Sequence, residues 1–230
     1  MWVLLQKGFA TIMTSTVTGI ILKKGDPIME ENKVIVRNEV VVNAAPATCF
    51  IYCCLCFAFA ASLLGFIENA GLAIAVLQLS VFVGYTIGSV FILKSGSGIG
   101  GNTFFIFAAL FAGAGGMLGI AQAICEHVGY PFSSQIGALV NVISGLFLFV
   151  ILYANRINAK TDFFTILFAS IGVFCCGLSG FVAPKMMSLI AGISLGIDGI
   201  VVFYSSSIQF LEMSGVKVNY GKPLFTPDKK

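Results

Sequence analysis

The sequence predicts an all-α membrane protein built as a bundle of six transmembrane helices. Of its 230 residues, 58% are hydrophobic and 10% are charged, and the mean hydropathy is +0.99. Soluble globular domains are roughly 45–50% apolar and about 25% charged, so the excess of apolar side chains must face lipid. The apolar residues also fall into six runs, each close to the roughly 20 residues that cross a bilayer as a helix.

The six runs are continuous and lack the strict alternation of barrel strands. In lipid only helices and closed barrels satisfy the backbone, so we predict helices. The runs cover residues 47–67, 71–93, 103–124, 134–154, 163–182 and 186–211. Because the loops between them are short, consecutive helices are predicted to be antiparallel neighbours.

The start of the first apolar run and the end of the last divide the chain into three segments. We expect an N-terminal cytoplasmic arm of residues 1–45, a transmembrane domain of residues 46–213 and a C-terminal cytoplasmic tail of residues 214–230. Apolar residues between positions 1 and 21 fall roughly on one helical face, but Lys7 lies among them. This pattern suits a helix in the membrane interface better than a further span, and the alternative is a loosely ordered arm.

The basic residues predict the orientation of the bundle. With six spans, both termini and two of the loops lie on one side, which carries all the basic residues of the chain except Lys185. Cytoplasmic loops are enriched in Lys and Arg, so we expect both termini in the cytoplasm. We also expect the protein to reside in the plasma membrane. The basic residues of the cytoplasmic side are Lys7, Lys23, Lys24, Lys33, Arg37, Lys94, Arg156, Lys160, Lys217, Lys222, Lys229 and Lys230.

A glycine-rich loop precedes the third run. Gly96, Gly98 and Gly101 match the G-x-G-x-x-G pattern of dinucleotide sites, but a membrane helix and not a strand precedes them, so we reject nucleotide binding. Asn102 or Thr103 is expected to cap the third helix by accepting a hydrogen bond from its first turn. A helix start carries a partial positive charge, which makes this one a candidate site for a small anion.

One carboxylate, Asp198, lies deep within the sixth run. An intramembrane carboxylate is costly and is therefore a candidate functional group. Helical spacing places it on one stripe with four other polar residues, Ser194, Ser205, Gln209 and Glu212. Two interpretations remain open: the stripe lines a water-filled path, or its members form hydrogen bonds to a neighbouring helix.

The remaining polar and small residues do not indicate catalysis. The seven cysteines lie mostly in apolar runs, where a free thiol behaves as a small hydrophobic group. We expect no metal, no cofactor, no nucleic acid partner and no enzymatic activity. Clusters of glycine are expected to allow close helix contacts, namely Gly113, Gly115, Gly116 and Gly119, and Gly192, Gly196 and Gly199.

Two short motifs carry a resemblance to a known family. Asn43-Ala44-Ala45-Pro46 precedes the first run, and Gly101-Asn102-Thr103-Phe104 opens the third. Tyr204 in the last run and Gly221-Lys222-Pro223-Leu224 in the tail add to the likeness. With these motifs in this order among six spans, the sequence resembles the acetate uptake transporter family and is a divergent example of its pattern.

The sequence also departs from that pattern. Ala44 replaces the first Pro of the family's Asn-Pro-x-Pro element, and Gly88 stands where the second span of the family carries a Gln. The family's narrow point is formed by a Phe, a Tyr and a Leu from the first, third and fifth spans. Counting from the motifs places Tyr52, Ala112 and Ala169 at these positions, and the two alanines are expected to widen the path.

The resemblance implies a six-helix protomer that assembles as a homo-hexamer and transports small monocarboxylates such as acetate, and also succinate, as anions or together with a proton. The implied substrate-binding residues are Asn43, Pro46, Tyr52, Asn102, Thr103 and Tyr204. The implied gate and pore-lining residues are Tyr52, Ala112, Ala169, Asp198 and Ser205. Two alternatives are a channel or transporter for another small solute, such as ammonium, and a multispan membrane scaffold without transport.

The intramembrane carboxylate yields a first prediction. If Asp198 binds a coupling proton, Asp198→Ala will change the pH dependence of transport more than it changes expression, because the variant loses a titrating group. Uptake measured in vesicles over a series of pH values tests this. Unchanged transport at every pH would show that Asp198 serves only as a packing partner.

Overall fold

The structure is a computed structural model, and it describes residues 43–218 and Phe225. Six helices long and apolar enough to cross a membrane occupy this part of the chain, which contains no strand. In chain order they are α1 Ala45–Leu63, α2 Gly71–Lys94, α3 Gly98–Val128, α4 Gln135–Ala154, α5 Lys160–Leu178 and α6 Pro184–Met213. The prediction of six membrane helices is therefore confirmed, and the chain is an integral multi-pass membrane protein.

The ends of the helices differ from the ends of the apolar runs. Helix α3 begins at Gly98, before the predicted start at Thr103, because small and polar residues continue a helix beyond its apolar part. Helix α1 ends at Leu63 and not at Ile67, since Gly65 adopts a left-handed backbone with φ of 76°. Most of the predicted arm and tail, including the tail motif at 221–224, lies outside the described residues.

The six helices form a ring. Helix α1 packs against α2 and α6, α2 packs against α3, and α5 packs against α4 and α6. Helices α3 and α4 face each other across a small void that is lined by both of them. The outer surface carries exposed apolar side chains such as Met117, Val150 and Ile200, as expected for contact with lipid. The interior of the ring is therefore the place where polar groups can be shielded from lipid.

Small residues allow the helices of the ring to approach closely. A Cβ on Gly145 of α4 would lie 2.6 Å from backbone atoms of Phe174 on α5. A Cβ on Gly116 would lie 2.7 Å from the carbonyl oxygen of Ala75. At Gly192 a Cβ would likewise lie 2.8 Å from Leu64. Without a hydrophobic driving force between helices in lipid, such close packing is a main source of association, and the packing role predicted for Gly116 and Gly192 is confirmed.

The contact between α1 and α2 explains one departure from the family pattern. Gly88 lies directly against Thr48, so that a Cβ at position 88 would overlap the Oγ1 atom of Thr48. Thr48 is buried, and its hydroxyl donates to the carbonyl of Ala44 at 2.9 Å. A glutamine side chain at position 88 would require these two helices to separate.

The middle of α3 is wound as a π-helix over Phe107–Ala114. A π-helical stretch bonds each N–H to the fifth preceding residue, so it leaves the α-helical register and turns the residues that follow to another face. One carbonyl in this stretch obtains its partner from outside the helix. Gln78 of α2 donates from Nε2 to the carbonyl oxygen of Phe111 at 2.6 Å, and Gln78 itself is buried.

The close contact between α4 and α5 yields a prediction. Gly145→Ala places a methyl group against the backbone of Phe174, and such overpacking is expected to lower the free energy of unfolding by about 1–3 kcal/mol. Thermal unfolding of the purified protein in detergent measures the effect.

Gly137→Ala on the same helix is the matched control. Its added Cβ would lie 3.5 Å from Leu118 Cδ1, an ordinary contact, so the variant is expected to gain the roughly 0.5–1 kcal/mol by which Ala exceeds Gly within a helix. Equal unfolding temperatures for the two variants would contradict close backbone packing at Gly145.

Candidate functional site

A cavity of about 160 Å³ opens at the end of the ring where α1 begins and α6 ends, and we name it the proximal cavity. The starts of α1, α3 and α5 and the ends of α4 and α6 contribute its walls. The lining residues are Cys49, Tyr52, Gly100, Thr103, Phe104, Phe107, Leu148, Asn155, Asp162, Thr165, Ile166, Ala169, Val202, Ser205 and Gln209. Five helices therefore converge on one cavity.

The proximal cavity has a polar wall made of neutral hydrogen-bonding groups and one acid. Gln209 donates from Nε2 to Ser205 Oγ at 3.3 Å. Among the described residues, the hydroxyls of Thr165 and Ser205 have no acceptor, so both can donate to a solute. Asp162 is the one charged residue in the wall within the described chain, and it lies in the first turn of α5, where the helix dipole favours a carboxylate. The cavity can thus bind a small polar solute through neutral donors beside a carboxylate.

A second cavity of about 300 Å³ lies at the opposite end of the ring, and we name it the distal cavity. Its polar side chains are all uncharged, and they come from α2, α3, α4, the loop before α4 and the residue that follows α5. They are Gln78, Gln122, Ser133, Ser134, Asn141 and Ser179. At each end of the ring there is therefore a cavity with polar groups in its wall.

A column of aromatic rings separates the two cavities. Tyr52 and Phe107 line the proximal cavity, whereas Phe59 and Phe111 line the distal one. The ring centroids lie 6.2 Å apart for Tyr52 and Phe107, 5.6 Å for Phe107 and Phe111, and 5.1 Å for Phe111 and Phe59. The void beside them measures only about 10 Å³, which is roughly the space of a single water molecule. This column, named here the aromatic constriction, lies between the two cavities.

Asp198 is bonded to the constriction and lines neither cavity. Its side chain is fully buried, and Tyr52 donates from its hydroxyl to Asp198 Oδ2 at 2.5 Å. Cys56 donates from Sγ to the same oxygen at 3.7 Å. Of the two interpretations left open for Asp198, the structure shows the hydrogen bond to a neighbouring helix.

The sequence-predicted site residues fall into two groups. Tyr52, Thr103, Ala169 and Ser205 line the proximal cavity, and the structure brings them together from four helices. The residues of the first motif do not reach it: Asn43 is exposed and accepts a hydrogen bond at Oδ1 from the N–H of Ala45 at 3.0 Å, and Pro46 is buried in the first turn of α1. Cys49 is the first α1 residue in the wall.

The predicted capping role of Asn102 and Thr103 is wrong. Because α3 begins at Gly98, both residues lie in its second turn, past the free N–H groups. Asn102 donates from Nδ2 to the carbonyl of Gly98 at 2.8 Å, and Thr103 donates from Oγ1 to the carbonyl of Ile99 at 2.8 Å. Asn102 is exposed on the outside of the helix, whereas Thr103 faces the cavity.

Two further residues lie away from the path. Tyr204 is 54% exposed on the outer surface, so its side chain is not part of the wall of either cavity. Ala112 is fully buried within the π-helical stretch and also lies outside both walls. Its neighbour Phe111 occupies the narrow part, so the constriction is filled by an aromatic ring on α3 and is not widened there by an alanine.

Several residues of the site were not predicted from the sequence. Phe59, Phe107 and Phe111 form most of the constriction, and Asn155 and Asp162 contribute to the proximal wall. The spacing of Phe107 and Phe111 is a helical signal for one shared face, but it also fits ordinary packing in a Phe-rich chain. Asn155 and Asp162 lie beside loop residues and are indistinguishable from them by position in the sequence.

Comparison with known proteins reveals similarity at the level of structure. No protein family model matches the chain, and no curated protein matches its sequence. A solved structure, that of the bacterial acetate channel SatP, superposes with a TM-score of 0.64 at 13% sequence identity. The superposition covers 80% of this chain and 98% of that one. The chain has a SatP-like fold. At this low identity the likeness concerns the arrangement of the six helices and not the identity of the side chains along the path.

Proposed function

We propose that this protein passes small carboxylates, first the monocarboxylate acetate and also the dicarboxylate succinate, across a membrane through the interior of its helix ring. The observation that carries the proposal is the pair of cavities at opposite ends of the ring, each with polar groups in its wall, with the aromatic constriction between them. A solute in one cavity needs a movement of a few side chains to reach the other. The likeness to an acetate channel supports this class of solute.

The wall of the proximal cavity favours a short acid that travels together with a proton. The hydroxyls of Thr165 and Ser205 can donate to the oxygens of a carboxyl group. The carboxylate of Asp162 in the same wall repels an anion, and this repulsion is stronger in a partly desolvated cavity than in water. The neutral acid keeps the hydrogen bonds and avoids the repulsion.

The same carboxylate favours a second candidate function. Asp162 attracts cations, and no basic side chain among the described lining residues opposes it. Ammonium would bind beside Asp162 and donate to Gln209 and Ser205. Transport of ammonium is therefore the alternative against which carboxylate transport has to be measured.

We further propose that the proximal cavity opens to the cytoplasm, that both termini lie there, and that the protein resides in the plasma membrane. Lys94 ends α2, Arg156 follows α4 and Lys160 begins α5, all at the proximal end, whereas Lys185 lies at the other end. Assembly as a homo-hexamer is proposed from the family resemblance, and the apolar outer surface is compatible with contacts between copies or with lipid.

Flux through liposomes containing the purified protein tests the proposed function. We expect uptake of radiolabelled acetate above that of empty vesicles, increasing as the pH falls because the neutral acid becomes more abundant. Competition by unlabelled succinate and a neutral polyol, together with direct measurement of ammonium uptake in the same vesicles, ranks the alternatives.

Each outcome of that panel discriminates between functions. Ammonium uptake without acetate uptake would replace the first proposal by the second. No uptake of any solute at any pH would contradict both and would favour the membrane scaffold.

A matched pair of adjacent residues tests the location of the path. The Thr103 hydroxyl faces the proximal cavity and donates to the carbonyl of Ile99, so its oxygen can accept a hydrogen bond from the O–H of a neutral acid. Thr103→Val removes this acceptor, and the lost hydrogen bond is expected to lower acetate flux by about two- to tenfold. Asn102→Ala changes an exposed residue bonded within its own helix and is expected to leave flux within about twofold of wild type. A loss in Asn102→Ala alone would place the solute at the family motif and not in this cavity.

A further inference from the structure

Tyr52 occupies the junction between the proximal cavity and the aromatic constriction. Its side chain is 8% exposed, and its ring meets Phe104 and Phe107 edge-on, with interplanar angles of 82° and 77°. Edge-to-face contacts of this kind are favourable but do not by themselves hold a ring in one orientation. The position of the ring depends on what holds its far end.

The far end of that ring is held by the last helix. The Tyr52 hydroxyl donates to Asp198 Oδ2, so the ring is fixed to α1 by its backbone and to α6 by its hydroxyl. Cys56 donates to the same oxygen one turn further along α1. Beside it, Cys53 donates from Sγ to the carbonyl oxygen of Gly199 at 3.3 Å. These contacts join one turn of α6 to one turn of α1 at the level of the constriction.

Within the described part of the chain, the Asp198 side chain accepts no other hydrogen bond. Its second oxygen, Oδ1, is buried and has no hydrogen-bond partner in the described part of the chain. A carboxyl group in this environment is expensive, and a partly satisfied one is more so. The side chains that donate hydrogen bonds to Asp198 are those of Tyr52 and Cys56, and of these two Tyr52 lines the proximal cavity.

We propose that Asp198 is a positioning residue that acts through Tyr52: it holds the phenol ring across the path and thereby sets the size of the solute that passes. This inference rests on the proposed transport function. Without the acceptor, the ring is free to leave the junction, and the constriction loses its proximal end. The consequence is weaker discrimination by size and not a loss of passage.

The ratio of butyrate flux to acetate flux in liposomes measures this discrimination. Asp198→Leu removes the acceptor at similar side-chain size, and Tyr52→Phe removes the donor but keeps the ring. Each is expected to raise the ratio by about three- to tenfold, as for the loss of one hydrogen bond. The double variant is expected to match the single ones, because both remove the same interaction. Asp198→Asn keeps a carbonyl acceptor, so its ratio of butyrate flux to acetate flux is expected to stay near that of wild type.

Ser194→Ala is the matched control, since Ser194 is buried on the same helix one turn before Asp198 and lies outside both cavity walls. Its ratio is expected to remain that of wild type. An unchanged ratio in Asp198→Leu, or additive effects in the double variant, would overturn the inference. Acetate flux through the wild-type protein in the same vesicles separates a failure of this inference from a failure of the proposed function. If that flux is absent, the proposed function is contradicted and the role of Asp198 is not.

If wild-type acetate flux is absent, the rate at which a thiol at position 173 is labelled tests the inference without any transport measurement. Val173 is 1% exposed and lines the small void of the constriction, so Val173→Cys places a thiol behind the Tyr52 ring. Methyl methanethiosulfonate labelling at position 173, followed by peptide mass spectrometry, is expected to become at least about threefold faster when Asp198→Leu or Tyr52→Phe is added. Addition of Asp198→Asn is expected to leave the rate unchanged. Equal rates in all four proteins would overturn the inference.

Discussion

The contact between the first and the last membrane helix determines how the rest of the ring can close. In lipid, two apolar helices gain nothing from excluding water, so association depends on close packing and on hydrogen bonds between helices. The contact of α1 with α6 uses both. Gly192 allows the backbone to approach Leu64, and Tyr52 and Cys53 donate to Asp198 and Gly199. A polar group that is costly in isolation thus becomes a specific link between two helices.

The aromatic constriction depends on this link at one end and on α3 at the other. Phe107 and Phe111 lie four residues apart in the π-helical stretch, and both point toward the interior of the ring. The π-helical winding is supported from α2, since Gln78 supplies a hydrogen bond to the carbonyl of Phe111. π-helical turns are costly and tend to occur at functional sites, which agrees with the position of this one at the narrow part of the path. Helix α2 thus supports the aromatic constriction without contributing a ring to it.

The parts of this protein that could be predicted from the sequence are those that the bilayer itself dictates. Six apolar runs of bilayer length correspond to six helices, because no other open structure satisfies its backbone in lipid. The small residues Gly116 and Gly192 were predicted at helix contacts for a similar reason. The candidate site was predicted only in part. Thr103 and Ser205 line the proximal cavity, but the motif residues Asn43 and Asn102 turn their side chains toward their own backbone.

By itself, the sequence determined the membrane class, the number of helices and the presence of a carboxylate, that of Asp198, deep within the last of them. These follow from hydropathy and length, which are properties of each segment alone. Only the tertiary structure decided that Asp198 faces α1 and not the path, and that Phe111 and not Ala112 occupies the constriction. The physical reason is that helical periodicity assigns residues to faces, whereas the neighbour that each face meets depends on the packing of the whole ring. In α3 even the periodicity changes, because the π-helical stretch shifts the register that a count along the sequence assumes.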